Sequence, residues 1–230
     1  MTKRISIIIP THNEAPSIGK LIAYLQLHGA DDIAEIIVSD GDSTDETCTI
    51  AEQSGVMALI SPQKSRAAQM NYAAAKATGD ILYFVHADSL PPVNYAADII
   101  EAINNGFDFG RYRTKFDSSK LLLKINAWFT RFNWFICYGG DQTMFITRNF
   151  FQQSGGFKTE LLIMEEYEFC EKQMKQGRYK IFGDTALISA RKYEGRSWLK
   201  VQLANRKAVQ LYKKGASQQE IVKTYKQMLG

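Results

Sequence analysis

An α/β domain with a mostly parallel central sheet flanked by helices is the fold class that three observations predict. β-rich apolar runs alternate with helix-patterned segments through the first half of the chain. One run, residues 81–85, is apolar without interruption, which suits a strand covered on both faces. The 230 residues are 45% hydrophobic and 23% charged, enough apolar material for a sizeable core.

The elements follow in order. Residues 4–9 form the first β-rich run. Residues 15–26 place Ile18, Leu21, Ile22 and Leu25 on one helical face. Residues 33–38 form the next strand. Residues 44–54 read as a helix with Ser43 as N-cap. A third strand at 56–60, an Ala-rich helix at 65–77 and the strand at 81–85 complete the regular half. Beyond it, 91–104 reads as a helix entered through Pro91-Pro92, and 107–113 alternates like a half-buried strand. Residues 143–147 suit a short strand, and 164–176 a helix stopped at Gly177. Two short β runs follow at 179–182 and 186–189. Helices at 198–213 and 217–228, joined at Gly215, close the chain. The expected division is a main domain over 1–195 and a helical extension over 196–230 packed on it.

Composition narrows the function. The net charge of +4 tolerates phosphate-bearing ligands or an anionic membrane surface and does not call for nucleic acid. Cys48, Cys137 and Cys170 are dispersed and odd in number. They give neither a disulfide framework nor a metal knuckle, and a reducing cytoplasm is the natural setting. The opening apolar run is short and meets a polar turn, so it reads as a strand and not as a secretory signal. No stretch approaches the ~20 apolar residues of a membrane span. The nearest, 121–138, is aromatic-rich but interrupted by Lys124, Asn126, Arg131 and Asn133. It reads as a core or interface helix; the alternative is a peripheral contact with the inner face of a membrane.

Ligands of parallel sheets bind at the carboxyl ends of the strands. Here those ends carry Pro10-Thr11-His12-Asn13-Glu14, then Asp40-Gly41-Asp42-Ser43-Thr44-Asp45, then His86-Ala87-Asp88. Each alone also suits a turn with a helix cap. Three acid-bearing loops at one edge suit a site. No Gly-rich dinucleotide or P-loop signature appears, so a divalent cation held by acids would carry a phosphate ligand. His86 and Asp88, two apart on an extended segment, would face it together.

These segments resemble the opening motifs of family 2 glycosyltransferases, which have the GT-A nucleotide-diphospho-sugar transferase fold. The resemblance extends over Ser65-Arg66 to Asn71, Gly79-Asp80 and His86-Ala87-Asp88, and covers residues 5 to about 195. It implies that Pro10, Thr11, Asn13 and Glu14 lie under a nucleoside and that Asp40 reads uracil. It also implies that Arg66 and Asn71 flank the nucleotide and that Asp88, with His86, binds Mg²⁺ or Mn²⁺. His86 stands where the family has Asp, and Asp42 where it has Gly. Met164-Glu165-Glu166-Tyr167 is similar to the family's paired-acid motif, which implies Glu166 as catalytic base. Adjacent residues at a helix start do not share a face, so one of Glu165 and Glu166 is expected to point inward. In Gly139-Gly140-Asp141-Gln142, Asp141 and Gln142 could bond sugar hydroxyls. Arg191 could brace a diphosphate or an anionic acceptor. The whole looks like a bacterial subfamily with a His-Ala-Asp motif, some members of which are associated with arsenosugar biosynthesis.

The implied activity is metal-dependent transfer, with inversion, of a sugar from a nucleotide-sugar donor, UDP-sugar favoured, to a hydroxyl acceptor. Two rivals remain. One is a sugar-nucleotide nucleotidyltransferase, which usually carries a Gly-rich basic loop after its first strand; the other is a non-catalytic sugar-nucleotide-binding protein.

Overall fold

The computed structural model describes residues 3–138 and 142–230. Its centre is an eight-stranded sheet in the order β3-β2-β1-β4-β7-β6-β8-β5. The strands are β1 (Ile5–Thr11), β2 (Ile33–Asp40), β3 (Met57–Ile60), β4 (Ile81–Phe84), β5 (Ser89–Leu90), β6 (Phe109–Phe116), β7 (Met144–Thr147) and β8 (Tyr179–Ile188). Four of the seven pairings are parallel, so the expected sheet is present, with β7 running antiparallel between β4 and β6.

Strand period explains the layers. Ile5, Ile7 and Ile9 of β1 face one side and pack on Ile18, Leu21, Ile22 and Leu25 of α1 (Ala15–Gly29) and on α4 (Tyr95–Asn104). Ile8 faces the other side. There it meets Met70 and Ala73 of α3 (Arg66–Lys76), Phe151 of α6 (Arg148–Ser154) and Phe169 of α7 (Glu165–Gln173). With both faces of the sheet covered, β1 and β4 are buried along their whole length.

Several boundaries differ from expectation, each for a local reason. The helix expected at 44–54 is α2 (Thr47–Gln53). Ser43 does not cap it, because the Ser43 hydroxyl is bonded to Asp40. The helix expected at 91–104 starts only at Tyr95. The two β runs expected at 179–182 and 186–189 are one continuous strand, β8, held along β6. Helix α6 was not expected; Thr147 caps it by accepting a bond from the Phe150 N–H at 3.3 Å.

Two further features bear on function. Segment 121–138 opens with α5 (Leu121–Phe129), of which only Leu123 is buried. Of the core or interface helix expected, the core reading is excluded. Leu123 meets Val201 of α8 (Trp198–Lys213), and α8 packs on α9 (Gln218–Leu229). Among the described residues no helix is long and apolar enough to cross a membrane.

Candidate active site

The strand order reverses between β1 and β4: from β1 the chain turns one way to β2 and the other way to β4. A crevice at such a switch point is the usual ligand site of an α/β sheet. The loops after β1 and β2 are joined there by side-chain bonds. Asn13 accepts from the Thr44 N–H at 2.9 Å, and the Asn13 N–H donates to Ser43 Oγ at 2.7 Å. The Glu14 N–H donates to Thr47 Oγ1 at 2.9 Å, and the Ala15 N–H to Asp45 at 3.1 Å. Asn13 and Asp42 both adopt left-handed backbone, φ 56° and 67°. Asp42 thus keeps the conformation that a glycine would give, a region Asp tolerates better than most residues. An ion pair with Lys64 holds its side chain. Gly41 cannot be larger: a Cβ there would lie 2.8 Å from Gln69 Nε2, whose amide bonds the Thr11 and Ser39 carbonyls.

Asp40 is placed differently from expectation. It is completely enclosed. Its carboxylate accepts bonds from Thr11 Oγ1 at 2.9 Å and from the Ser43 N–H and Oγ, both at 2.6 Å. In this arrangement it shapes the loop and does not present itself to a base. Pro10 and Thr11 are buried in β1 itself. Asn71 is also committed elsewhere. Its amide clamps residue 157, accepting from the Phe157 N–H at 3.0 Å and donating to the Phe157 carbonyl at 2.7 Å. The expected nucleotide contact of Asn71 therefore gives way to a structural one.

After β4 the chain turns, with the Ser89 N–H donating to the His86 carbonyl at 3.0 Å. His86-Ala87-Asp88 is not extended, and its two polar side chains address different partners. Asp88 sits 3.4 Å from an Arg191 guanidinium nitrogen, and the same guanidinium grips Glu14 through both its terminal nitrogens. Arg191 thus ties the loop after β1 to the loop after β4. A recess of about 380 Å³ opens beside Asp88, flanked by Arg191, Lys192 and Arg196. His86, expected as a metal neighbour, instead places Nε2 3.1 Å from Glu166 Oε1, both side chains buried.

Glu165 and Glu166 open α7, whose positive end favours acids. The residue before them, Met164, is held at φ 74°, strain of the kind that gathers at functional sites. Both acids line one cleft of about 430 Å³, not one alone. They diverge from the first turn. Glu165 reaches to 3.5 Å from Arg66 at the start of α3, and Glu166 turns to His86. Burial raises the Glu165 carboxyl above the usual carboxylate range; the Arg66 charge opposes this and the neighbouring Glu166 adds to it. Glu166 Oε2 is buried with no hydrogen-bond partner among the described residues. A buried carboxylate oxygen left this way is costly unless something comes to meet it.

The far wall of the cleft comes from the C-terminal helices, through Asn205 and Tyr225, whose side chains bond each other at 3.1 Å. The sequence did not single these out, because their role depends on α8 and α9 folding back over α7. The Gln218 side chain makes that fold-back specific by accepting from the Leu162 N–H at 3.0 Å. Buried Arg111 was likewise missed; it shares a small internal cavity with Glu166 and Gln142. Gln142 donates to the Cys137 carbonyl at 2.7 Å, behind Glu166. Asp141 lies outside the described residues.

Among the described residues no group of three His, Cys, Asp or Glu gathers as a self-sufficient metal cage. Asp88, facing the recess, still fits a divalent ion of the sort that takes one or two carboxylates and completes its shell with ligand phosphates.

The crevice bearing Asp88 and the cleft bearing the paired acids thus belong to an α/β protein with its polar sites at the strand ends and at the start of α7. Residues 6–159 match glycosyl transferase family 2, and the chain belongs to that family. A curated relative from Rickettsia felis, an uncharacterized glycosyltransferase, is 33% identical over 86 residues, 37% of this chain and 29% of the relative. Among solved structures, S. aureus TarS residues 1–349 in complex with UDP aligns with a TM-score of 0.67 and 18% identity, over 81% of this chain and 60% of that one. The mannosyltransferase PcManGT from Pyrobaculum calidifontis, in complex with GDP-Man and Mn²⁺, aligns at 0.65 and 19% identity, over 89% and 61%. Glucosyl-3-phosphoglycerate synthase from Mycobacterium tuberculosis, in complex with Mn²⁺, UDP and glucosyl-3-phosphoglycerate, aligns at 0.64 and 14%, over 93% and 81%. The chain therefore spans under a third of its curated relative and about three fifths of the first two of these structures. At these identities the structures establish the fold, which is GT-A.

Proposed function

We propose that this chain transfers a sugar from a nucleotide-diphosphate donor, UDP-sugar favoured, to a hydroxyl acceptor, with inversion at the anomeric carbon. The observation that carries the reading is Glu166: a buried carboxylate with one oxygen on His86 and the other without a partner, on the wall of a large cleft. Family membership supports the reaction class. The UDP, GDP-Man and Mn²⁺ of the three aligned structures support the donor class and a divalent metal.

The chain's own residues divide the work. The loops after β1 and β2, fixed by Asn13 and Asp40, receive the nucleoside. Arg191, Lys192 and Arg196 face the recess beside Asp88 and would neutralise the diphosphate. Asp88 would hold Mg²⁺ or Mn²⁺, which supplies Lewis-acid stabilisation of the leaving diphosphate when bound. Arg66 pairs with Glu165, and Gln142 lines the small cavity behind Glu166. Glu166 takes the proton from the acceptor hydroxyl as it attacks the anomeric carbon, on the face opposite the leaving group. His86 keeps Glu166 oriented, so that His at this position would serve the base and not the metal. The C-terminal helices, proposed as an extension over 196–230, close the acceptor side of the cleft.

The test is a screen of UDP- and GDP-sugars for slow hydrolysis, with and without chelator, water standing in for the acceptor. Chelator-sensitive release of the nucleoside diphosphate is expected. Release of pyrophosphate, or tight donor binding with no turnover under any metal, would sink the proposal.

A further inference from the structure

We infer that α5 and α8 form a docking face for an anionic lipid bilayer. A surface helix normally turns its apolar stripe inward. In α5 the stripe faces out: Leu121, Leu122, Ile125, Trp128 and Phe129, at i, i+1, i+4, i+7 and i+8, are all exposed, Leu121 at 70%. Only Leu123 turns inward, onto Val201 of α8. The aromatic side chains continue past the helix. Phe132 stacks on Trp134 at 4.5 Å between ring centres, and Trp134 is still 51% exposed. The Arg131 guanidinium lies over the Trp128 ring at 4.7 Å. Helix α8 runs alongside, from Val201 at Leu123 to Lys213 over the Phe135 ring at 4.5 Å. Leu199 and Leu203 of α8 are exposed too, on the side of that helix opposite Val201.

Charge selects the occupant. Residues 118–138 carry three cations, Lys120, Lys124 and Arg131, and no Asp or Glu. Residues 197–219 carry five, among them Lys200 and Lys207, and again no Asp or Glu. Protruding Trp, Phe and Leu set among unopposed cations match the interfacial region of a bilayer with anionic headgroups. A second copy of the chain fits poorly, since a two-fold contact would press these cation-rich segments against their own copies. α8 also lines the cleft, through Asn205 and Ala208, so docking would hold the cleft about a helix's width from the headgroups. The inference stands on this face alone and does not depend on the reaction proposed above.

The test is co-sedimentation of the full chain with vesicles of phosphatidylcholine, with and without phosphatidylglycerol. The wild type is expected to pellet with the anionic vesicles, to be released by salt, and to stay in solution with phosphatidylcholine alone. The triple variant Leu121→Ser, Trp128→Ser, Leu199→Ser should lower partitioning roughly tenfold or more. So should Lys124→Glu, Arg131→Glu, Lys200→Glu, through loss of attraction. Quenching of wild-type tryptophan emission by brominated lipid needs no variant and should be strong. Absence of wild-type binding, unchanged binding of both folded variants, or a dimer in solution that the apolar triple dissociates would overturn the inference.

Discussion

Changing Glu166 to Gln is the sharpest perturbation of the proposed chemistry. The substitution keeps the size of the side chain and its contact with His86, 3.1 Å away in the native protein, so the cleft wall should keep its shape. It removes the lone-pair basicity of Oε2, which has no partner to compensate for its burial. Proton transfer by a positioned group is typically worth ~10²–10⁴ in rate. At 1.36 kcal/mol per decade, this corresponds to about 2.7–5.4 kcal/mol of lost transition-state stabilisation. Donor binding should hardly change, since Glu166 lies in the cleft proposed for the acceptor and not in the recess beside Asp88. The assay is steady-state release of nucleoside diphosphate, paired with calorimetry of UDP binding. A fall in kcat by that factor, with KM for donor and UDP affinity nearly intact, is expected. If Glu166→Gln keeps full turnover while Glu165→Gln is dead, the base is Glu165. If both keep full turnover, the proton goes elsewhere and the reasoning fails, with Asp141 the next candidate.

Three further outcomes follow from the same geometry. Burial raises the Glu165 carboxyl, so its ionisation opposes folding; the stability it gives when protonated is lost as pH rises through its raised value. Glu165→Gln should therefore melt higher than wild type near neutral pH, and the gap should close in acid; an equal gap at both ends would contradict the burial argument. Asp40→Asn leaves a side chain that accepts on one side only, against three donated bonds in the native loop. A loss of about 1–3 kcal/mol in stability, with weaker UDP binding, is expected, and unchanged melting and affinity would remove the loop-shaping role. Arg191→Gln frees Asp88 and Glu14 from their shared cation. Titration with Mn²⁺ alone should tighten by up to about fivefold, because an exposed ion pair is worth ~1 kcal/mol or less, while UDP affinity should fall; tighter UDP binding would refute a phosphate-facing role.

Much of this protein was legible locally. The alternation of β1, α1, β2, α2, β3, α3 and β4 follows from hydrophobic period, which each segment carries in itself. So does the clustering of acid-bearing loops at one edge, once the strands are taken as parallel. The antiparallel β7 and the fused strand β8 were less legible, because short β runs take their direction and length from the neighbours they pair with.

Partner choice in the site was decided by tertiary structure alone. Arg191 meets Glu14 across 177 positions of sequence, and His86 meets Glu166 across 80. No local period encodes such a meeting. The spacing of His86 and Asp88 suggested one shared ligand, yet the turn after β4 sends the first to the base and the second to Arg191. Asp40 and Asn71 carry residue types that suit ligand contact, but the packing of distant loops gives them backbone and hydroxyl partners first. The sequence by itself determined the strands β1 to β4 and where their polar ends gather, since those depend on each segment's own pattern. Which side chains remain for chemistry was set only when α7, α8 and the strand-end loops closed on one another, because a buried polar group takes whichever partner the fold brings within reach.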